Sequence, residues 1–214
     1  MIGIIGGTGA EGQALSVRFA SNGHEVIIGS RNESKAKDVA ESITGMYKKF
    51  HIQGMTNFNT AQNAELIILT VPYYSQKDVL NEIKPNLTNK IVVNTVVPLV
   101  FKNSKVFLEK TVVGSAALES QKLLPDSFVV TAFQTISSEQ LIDLKVIVDS
   151  DVLICGDDLD AKQKVISLIN RIEGLRSIDT GSLDNSIYIE NLTALLVNIN
   201  KTNKVRSAVR ITGI

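Results

Sequence analysis

The stretch that decides the fold is the first one, Met1-Ile-Gly-Ile-Ile-Gly-Gly-Thr-Gly-Ala-Glu-Gly12. An apolar run from Met1 to Ile5 gives way to Gly7-x-Gly9-x-x-Gly12, and a helix-compatible segment follows at once. In such a strand–turn–helix each glycine has a mechanical task. The first lets the strand turn sharply, the second lets backbone approach a pyrophosphate, and the third lets the helix lie close on the sheet. The free N–H groups and positive dipole end of the helix then face the phosphates. Glycines at this spacing are common; their position after a strand and ahead of a helix is what points to a dinucleotide site. Gly7, Thr8, Gly9, Ala10, Glu11 and Gly12 are expected to form it, with Thr8 as a further donor.

Working outward, Leu15 and Phe19 sit one helical turn apart, and Ser21-Asn22-Gly23 supplies a stop. A second apolar run, Val26-Ile27-Ile28, closes on Gly29-Ser30-Arg31. Strand, helix and strand in so short a span make a βαβ unit, with parallel strands and a right-handed crossover. The end of the second strand reports on the ribose. An NAD site places a carboxylate roughly twenty residues past the glycines, where it accepts from the 2′-hydroxyl. Here Gly29-Ser-Arg-Asn-Glu-Ser-Lys35 offers a hydroxyl, a guanidinium and an ammonium, with no carboxylate at the strand end. A 2′-phosphate wants such donors. NADP(H) is the predicted cofactor, held by Ser30, Arg31 and Lys35.

The alternation continues along the chain. Asn32 is a candidate cap for a helix whose Ala36, Val39, Ala40 and Ile43 share a face. Residues 51–56 read as a modest strand and Asn59 to Asn63 as a short helix. Leu66 to Val71, ended by Pro72, reads as a strand buried on both faces. Gln76 to Ile83 follows as a helix stopped by Pro85, then strands at Ile91 to Val93 and Phe128 to Ala132. Asp151 to Cys155 is strand-like and Gly156-Asp-Asp158 opens a helix whose Val165, Ile166, Leu168, Ile169 and Ile172 form a broad apolar face ended by Gly174. Arg176 to Asp179 reads as a last short strand. A final helix begins near Asp184. Its Tyr188, Ile189, Leu192, Leu195, Leu196 and Ile199 share a stripe, while Ile187 and Val197 fall outside it and suggest a subunit contact. The expected fold is α/β: a Rossmann-type, doubly wound, mostly parallel sheet with a smaller C-terminal α/β part packed on it. Residues 1–135 form the NADP-binding domain and residues 136–214 the smaller part, which contributes to the substrate pocket and the subunit contact.

Composition narrows the function classes. The 22 basic and 22 acidic residues are interspersed, so no net field recruits nucleic acid or anionic lipid. The single cysteine, Cys155, excludes an intrachain disulfide and a thiolate metal cage and reads as a small buried apolar residue. His24 and His51 are far apart in sequence; His24 reads as a surface residue, and no metal site is expected. Met1 leads directly into the first strand and no apolar run approaches the ~20 residues that cross a bilayer, so a cytoplasmic protein is expected.

The chain resembles the NADPH-dependent coenzyme F420 reductases, also called F420H2:NADP oxidoreductases. Gly6-Gly-Thr-Gly-Ala-Glu-Gly12 is similar to that family's glycine-rich start, and Gly29-Ser-Arg31 with Lys35 matches its 2′-phosphate loop. Ile68-Leu-Thr-Val-Pro72 and Val96-Val-Pro98 resemble strand-end segments that approach the nicotinamide. Cys155-Gly-Asp-Asp158, Gly174-Leu-Arg176 and Asp184-Asn-Ser186 correspond to landmarks in the C-terminal half. Two segments depart from the pattern. Gln134-Thr-Ile-Ser137 stands where the family carries a His-Thr-Ile-Pro-like stretch, and Lys204 to Arg210 replaces a glycine-rich tail. The resemblance implies direct hydride transfer between NADP(H) and coenzyme F420, with no catalytic acid–base residue, in a homodimer.

Open α/β sheets bind ligands at the carboxyl ends of their strands. Thr70, Val71, Pro72 and Val97 are therefore expected on the nicotinamide side, and Pro98, Phe133, Gln134 and Thr135 around the second substrate. Two alternatives stay open on the residues alone: an NADPH-dependent reductase of another acceptor (a flavin, an imine or a carbonyl compound), or a non-enzymatic NADP(H) sensor.

Overall fold

The computed structural model describes residues 1–103 and 105–214. The first half alternates strand and helix: β1 (Ile2–Ile5), α1 (Ala10–Ser21), β2 (Val26–Ser30), α2 (Glu33–Met46), β3 (Ile52–Thr56), α3 (Asn57–Asn63), β4 (Leu66–Leu69), α4 (Tyr73–Ile83) and β5 (Ile91–Asn94). A hairpin of β6 (Leu99–Lys102) and β7 (Lys105–Leu108) follows. Then come α5 (Ala116–Leu123), β8 (Phe128–Thr131), α6 (Ser138–Ile142), β9 (Ser150–Gly156), α7 (Leu159–Ile169), β10 (Leu175–Asp179) and α8 (Ser186–Asn203). Several helix starts are fixed by side chains that satisfy otherwise free amides. Asn32 accepts from Lys35 N, Thr56 from Asn59 N, Ser115 from Leu118 N and Asp158 from Ala161 N.

Among the described residues, eight strands join one sheet in the order β10-β9-β8-β5-β4-β1-β2-β3. From β3 to β8 every pair is parallel, whereas β8 and β9 run antiparallel and β10 pairs parallel with β9. The expected mostly parallel, doubly wound sheet is thus present, and residues 150–156 and 175–179 lengthen it. Helices α1, α2, α6 and α7 bury their apolar sides on one face, α3, α4, α5 and α8 on the other. β1 shows the consequence of the two-residue strand period. Ile4 packs into the first layer and Ile5 into the second, and neither is exposed.

Several expectations are corrected. β4 stops at Leu69, two residues early; Thr70 gives both its amide and its hydroxyl to Ile5 O, and the chain then turns away ahead of Pro72. α3 and α4 begin at Asn57 and Tyr73, earlier than the apolar pattern indicated. On α8 only part of the expected apolar stripe faces the core: Ile189 and Leu196 are buried and Leu192 and Ile199 half-buried, but Tyr188 is 71% and Leu195 54% exposed, while the polar Glu190 and Thr193 are buried beside Ala194. His24 is not a plain surface residue. It is half-buried with its ring edge-on to Phe19, its Nε2 is buried without a partner among the described residues, and burial lowers its pKa.

The C-terminal residues are pinned to the start of β9. Asp151, fully buried, takes both Nε and Nη2 of Arg176, Nη1 of Arg210 and the amide of Ile211. Its own amide donates to Val209 O at 2.7 Å. Hydrogen bonding from Arg176 first, then from Ile211 N and Arg210, holds the Asp151 carboxyl well below the usual carboxylate range.

Candidate active site

A cleft of about 620 Å³ opens at the carboxyl ends of β1, β2, β4, β5 and β8. It lies where β1 and β4 adjoin while their chain connections leave in opposite directions, the place where open α/β sheets hold ligands. The sharp turn out of β1 falls on Gly6, whose φ of 73° is costly for any residue with a Cβ. Its amide donates to Oδ1 of Asn57, the buried first residue of α3. Gly12 is close-packed: a Cβ there would stand 2.4 Å from Gly7 Cα. Gly9 differs. It is exposed and extended, and a Cβ on it would meet only Gly6 O at 3.6 Å, so nothing inside the protein requires a glycine. Gly9 caps α1 without a side chain, which leaves the amides of Ala10, Glu11 and Gly12 without helical acceptors. An open approach and a row of free amides fit a bound pyrophosphate.

At the end of β2, Ser30 is buried and accepts from Asn32 N, while Arg31 and Lys35 are exposed on the rim of the same cleft. Neither cation is in an ion pair among the described residues. A hydroxyl with two uncommitted cations suits a dianionic 2′-phosphate.

The other end of the cleft is built by hydrogen bonds between distant segments. Thr70 Oγ1 donates to Ile5 O and Thr95 Oγ1 to Leu69 O, both at 2.9 Å, closing the ends of two strands. Asn94, at the end of β5, donates to Gln76 Oε1 and Ser120 Oγ and accepts from Val96 N. Its carbonyl receives Gln134 Nε2 at 2.6 Å. Phe133, ahead of it, has a φ of 73° and buries its ring edge-on to Phe19. Thr193 of α8 donates to Gln134 O. Gln134 is thus fixed from β5 and α8, and its Oε1 is buried with no partner among the described residues.

Of the residues expected from the sequence, Thr8, Gly9, Ala10, Glu11, Ser30, Arg31, Lys35, Thr70, Val71, Pro72, Val97, Phe133 and Gln134 line this cleft. Gly7 and Gly12 lie beneath its floor, and Pro98 and Thr135 are not on its wall. Asn32, Asn57, Tyr73, Thr95, Val96, Leu99, Ile136 and Thr193 line it without having been singled out. Asn32 was read only as a cap. Leu99 comes from the hairpin, which Asn198 docks to α8 through both the N–H and the C=O of Val106.

Two ionisable side chains of the cleft are perturbed. Tyr73 donates its hydroxyl to Glu119 Oε2 at 3.0 Å and is pushed up to about 12, by burial first and then by Glu119. Burial alone pushes the Glu11 carboxyl up to about 8. No group of three or more His, Cys, Asp or Glu side chains that could hold a metal occurs among the described residues. Cys155 is buried under the sheet, where burial raises its thiol to about 11.

Comparison with known proteins agrees with this geometry. Residues 1–98 match the family described as NADP oxidoreductase, coenzyme F420-dependent. The chain is 37% identical to the F420-dependent NADP reductase of Methanothermobacter marburgensis, over all of this chain and 98% of that protein. The enzyme of the same name from Methanocaldococcus jannaschii is also 37% identical, with the same coverage. A crystal structure described as an F420-dependent NADP reductase from Arthrobacter sp. FB24 superposes with a TM-score of 0.86 over 99% of both chains. At 23% identity, that match speaks for the fold.

Proposed function

The chain belongs to the family of the F420-dependent NADP reductases, and on that premise we propose that it transfers a hydride between NADP(H) and coenzyme F420. One observation carries the reading. A single cleft joins the free amides of α1 and the cations after β2 to the strand ends at Thr70, Val97 and Gln134. The nucleotide and a second flat ring therefore have one continuous site. When bound, the nicotinamide and the deazaflavin supply the reactive carbon–hydrogen bonds between them.

The protein's own part is placement. The amides of Ala10, Glu11 and Gly12 hold phosphate, and Ser30, Arg31 and Lys35 distinguish a 2′-phosphate from a 2′-hydroxyl. Val71, Pro72 and Val97 give an apolar wall that excludes water, while Phe133 and Gln134 border the second substrate. Orientation of two rings replaces a bimolecular encounter, which is where the rate gain arises. No side chain at the ring end has to move a proton. Residues 1–135 carry the nucleotide, and residues 136–214 complete the substrate side through Ile136 and Thr193.

The test is an absorbance titration of the purified protein with NADPH and oxidised F420, and the reverse with NADP⁺ and reduced F420. Deazaflavin absorbance should bleach in the first direction and recover in the second. Constant absorbance in both, with NADPH bound, refutes the assignment of the acceptor.

No helix among the described residues is long and apolar enough to cross a membrane, and the protein is proposed to act in the cytoplasm. The exposed Tyr188 and Leu195 on α8 support a homodimer across that helix. Light scattering at micromolar concentration should give twice the 23.3 kDa chain mass, and the mass of one chain refutes it.

A further inference from the structure

Glu11 is the second residue of α1 and lies in the nucleotide end of the cleft. An acidic residue in the first turn of a helix is ordinarily ionised and favoured by the helix dipole. Glu11 is placed otherwise. Its Oε1 is buried and has no hydrogen-bond partner among the described residues. It sits beside the same free amides that would hold a pyrophosphate. Glu11 is half-buried, and an ionised carboxylate there, with one oxygen shut off from water, would stand beside the phosphates, where the like charges would repel.

The charged and polar groups around it do not relieve this. Arg18, on the same side of α1, spends its guanidinium on the carbonyls of Gln140, Leu141, Asp143 and Val146. Glu139 on α6 pairs with Arg206, and Asp143 turns its carboxylate to Lys145 N. Tyr73 of α4 donates its hydroxyl hydrogen bond to Glu119, and Tyr74 is exposed at the cleft mouth. Arg31 and Lys35 stand on the rim of the cleft, after β2, where the 2′-phosphate would take them.

We propose that Glu11 must be neutral for the nucleotide to bind, so that this chain takes up a proton from solvent onto the Glu11 carboxylate whenever it binds NADP(H) from alkaline solution. The inference rests on the nucleotide reading of the cleft. In the free protein the carboxyl is pushed up to about 8 by burial, so it is already neutral near pH 7 and loses its proton just above. Bound phosphates raise it further. Affinity is therefore set by the neutral fraction, and above pH 8 each unit of pH should weaken binding about tenfold.

The experiment measures the Kd of NADPH by fluorescence between pH 7 and 9.5 for the wild-type protein, Glu11→Gln and Glu11→Leu. The 2′-phosphate titrates near pH 6, below this window. The wild-type Kd should be flat to about pH 8 and then climb at least tenfold by pH 9.5, while both neutral variants stay flat across the range. Calorimetric titration at pH 8.5 in buffers of different ionisation enthalpy should show uptake of most of one proton by the wild type and none by the variants. Equal pH dependence in all three proteins overturns the proposal. So does tenfold weaker binding by Glu11→Gln at pH 7, since an amide keeps the size and neutrality of the protonated acid. If the wild type fails to bind NADPH at any pH, the nucleotide reading falls too; binding without proton linkage sinks only the role given to Glu11.

Discussion

Gly9 and Gly12 belong to one motif, yet the structure predicts different consequences for replacing them. At Gly9 the backbone is extended and a methyl group would rest at ordinary contact distance from Gly6 O. Gly9→Ala thus meets no clash, and the restriction of the unfolded chain, about 0.4–1 kcal/mol, is offset by the poorer fit of alanine at a helix N-cap. In a chain of this size the Tm without nucleotide should stay within about 2 °C of wild type. At Gly12 the new Cβ would lie 2.4 Å from Gly7 Cα and 2.9 Å from Gly7 C and O, all backbone. Those atoms cannot give way without lifting α1 off β1, so Gly12→Ala should cost about 1–3 kcal/mol and roughly 2–12 °C. For ligand binding the order reverses. The Gly9 methyl occupies open space in front of the α1 amides and holds a phosphate off them. Losing one charge-assisted bond costs about 1.5–3 kcal/mol, or roughly ten- to hundredfold in NADPH Kd. Scanning fluorimetry of the nucleotide-free proteins, paired with NADPH titrations, reads both quantities. A Gly9→Ala protein that melts as low as Gly12→Ala, or binds NADPH as well as wild type, refutes the reasoning.

Three further outcomes are expected. Arg31→Ala should weaken NADPH binding by about 1.5–2 kcal/mol, roughly ten- to thirtyfold, and leave NADH within twofold; equal losses in calorimetry would remove the 2′-phosphate from Arg31. Asp151 is depressed in the folded state, so its contribution is complete above its ordinary pKa of 3.8 and is lost as pH falls below that. Asp151→Asn should therefore lower stability at pH 6 by about 2–3 kcal/mol and flatten the acid limb of urea midpoints, and an unchanged acid limb counts against the latch. Glu190 behaves oppositely. Burial raises its carboxyl from 4.5 to about 7 although it accepts from Ala116 N and Ala117 N. Its contribution is full below pH 4.5 and fades as pH rises through 7, by about 3 kcal/mol. Glu190→Gln should remove that slope between pH 5 and 7.5, and urea midpoints with the wild-type slope would contradict it.

What could be read from the sequence was what a few neighbouring residues decide together. The glycine turn, the Asn32 cap and the strand end at Ser30 and Arg31 each depend on residues within one turn of one another; the cap and the strand end stand where the pattern put them, and the sharp turn falls on Gly6, one residue ahead of the expected Gly7. Asn57 escaped notice because its partner is Gly6, 51 positions away, and an isolated asparagine ahead of a short helix carries no sign of that contact. The hairpin β6–β7 escaped for another reason. Val100, Phe101 and Phe107 are exposed, so the strands lack the inward–outward alternation by which a half-buried sheet announces itself.

α8 is the most instructive failure, because a helical projection assumes that the most apolar stripe is the one that faces the core. Here the buried face is set by what other elements need. Glu190 caps the amides that open α5, Thr193 holds Gln134 O, and Asn198 docks the hairpin. Each demand arises from a segment distant in the chain, and together they turn Tyr188 and Leu195 outward. The substrate end of the cleft is assembled by the same means. Gln134 stood out in the sequence as a departure, but its neighbours do not state its role. Only the fold brings Asn94 O to its amide nitrogen and leaves its Oε1 buried with no partner among the described residues. In this chain the nucleotide end is a local property of the first βαβ unit, and the acceptor end is a property of the tertiary structure.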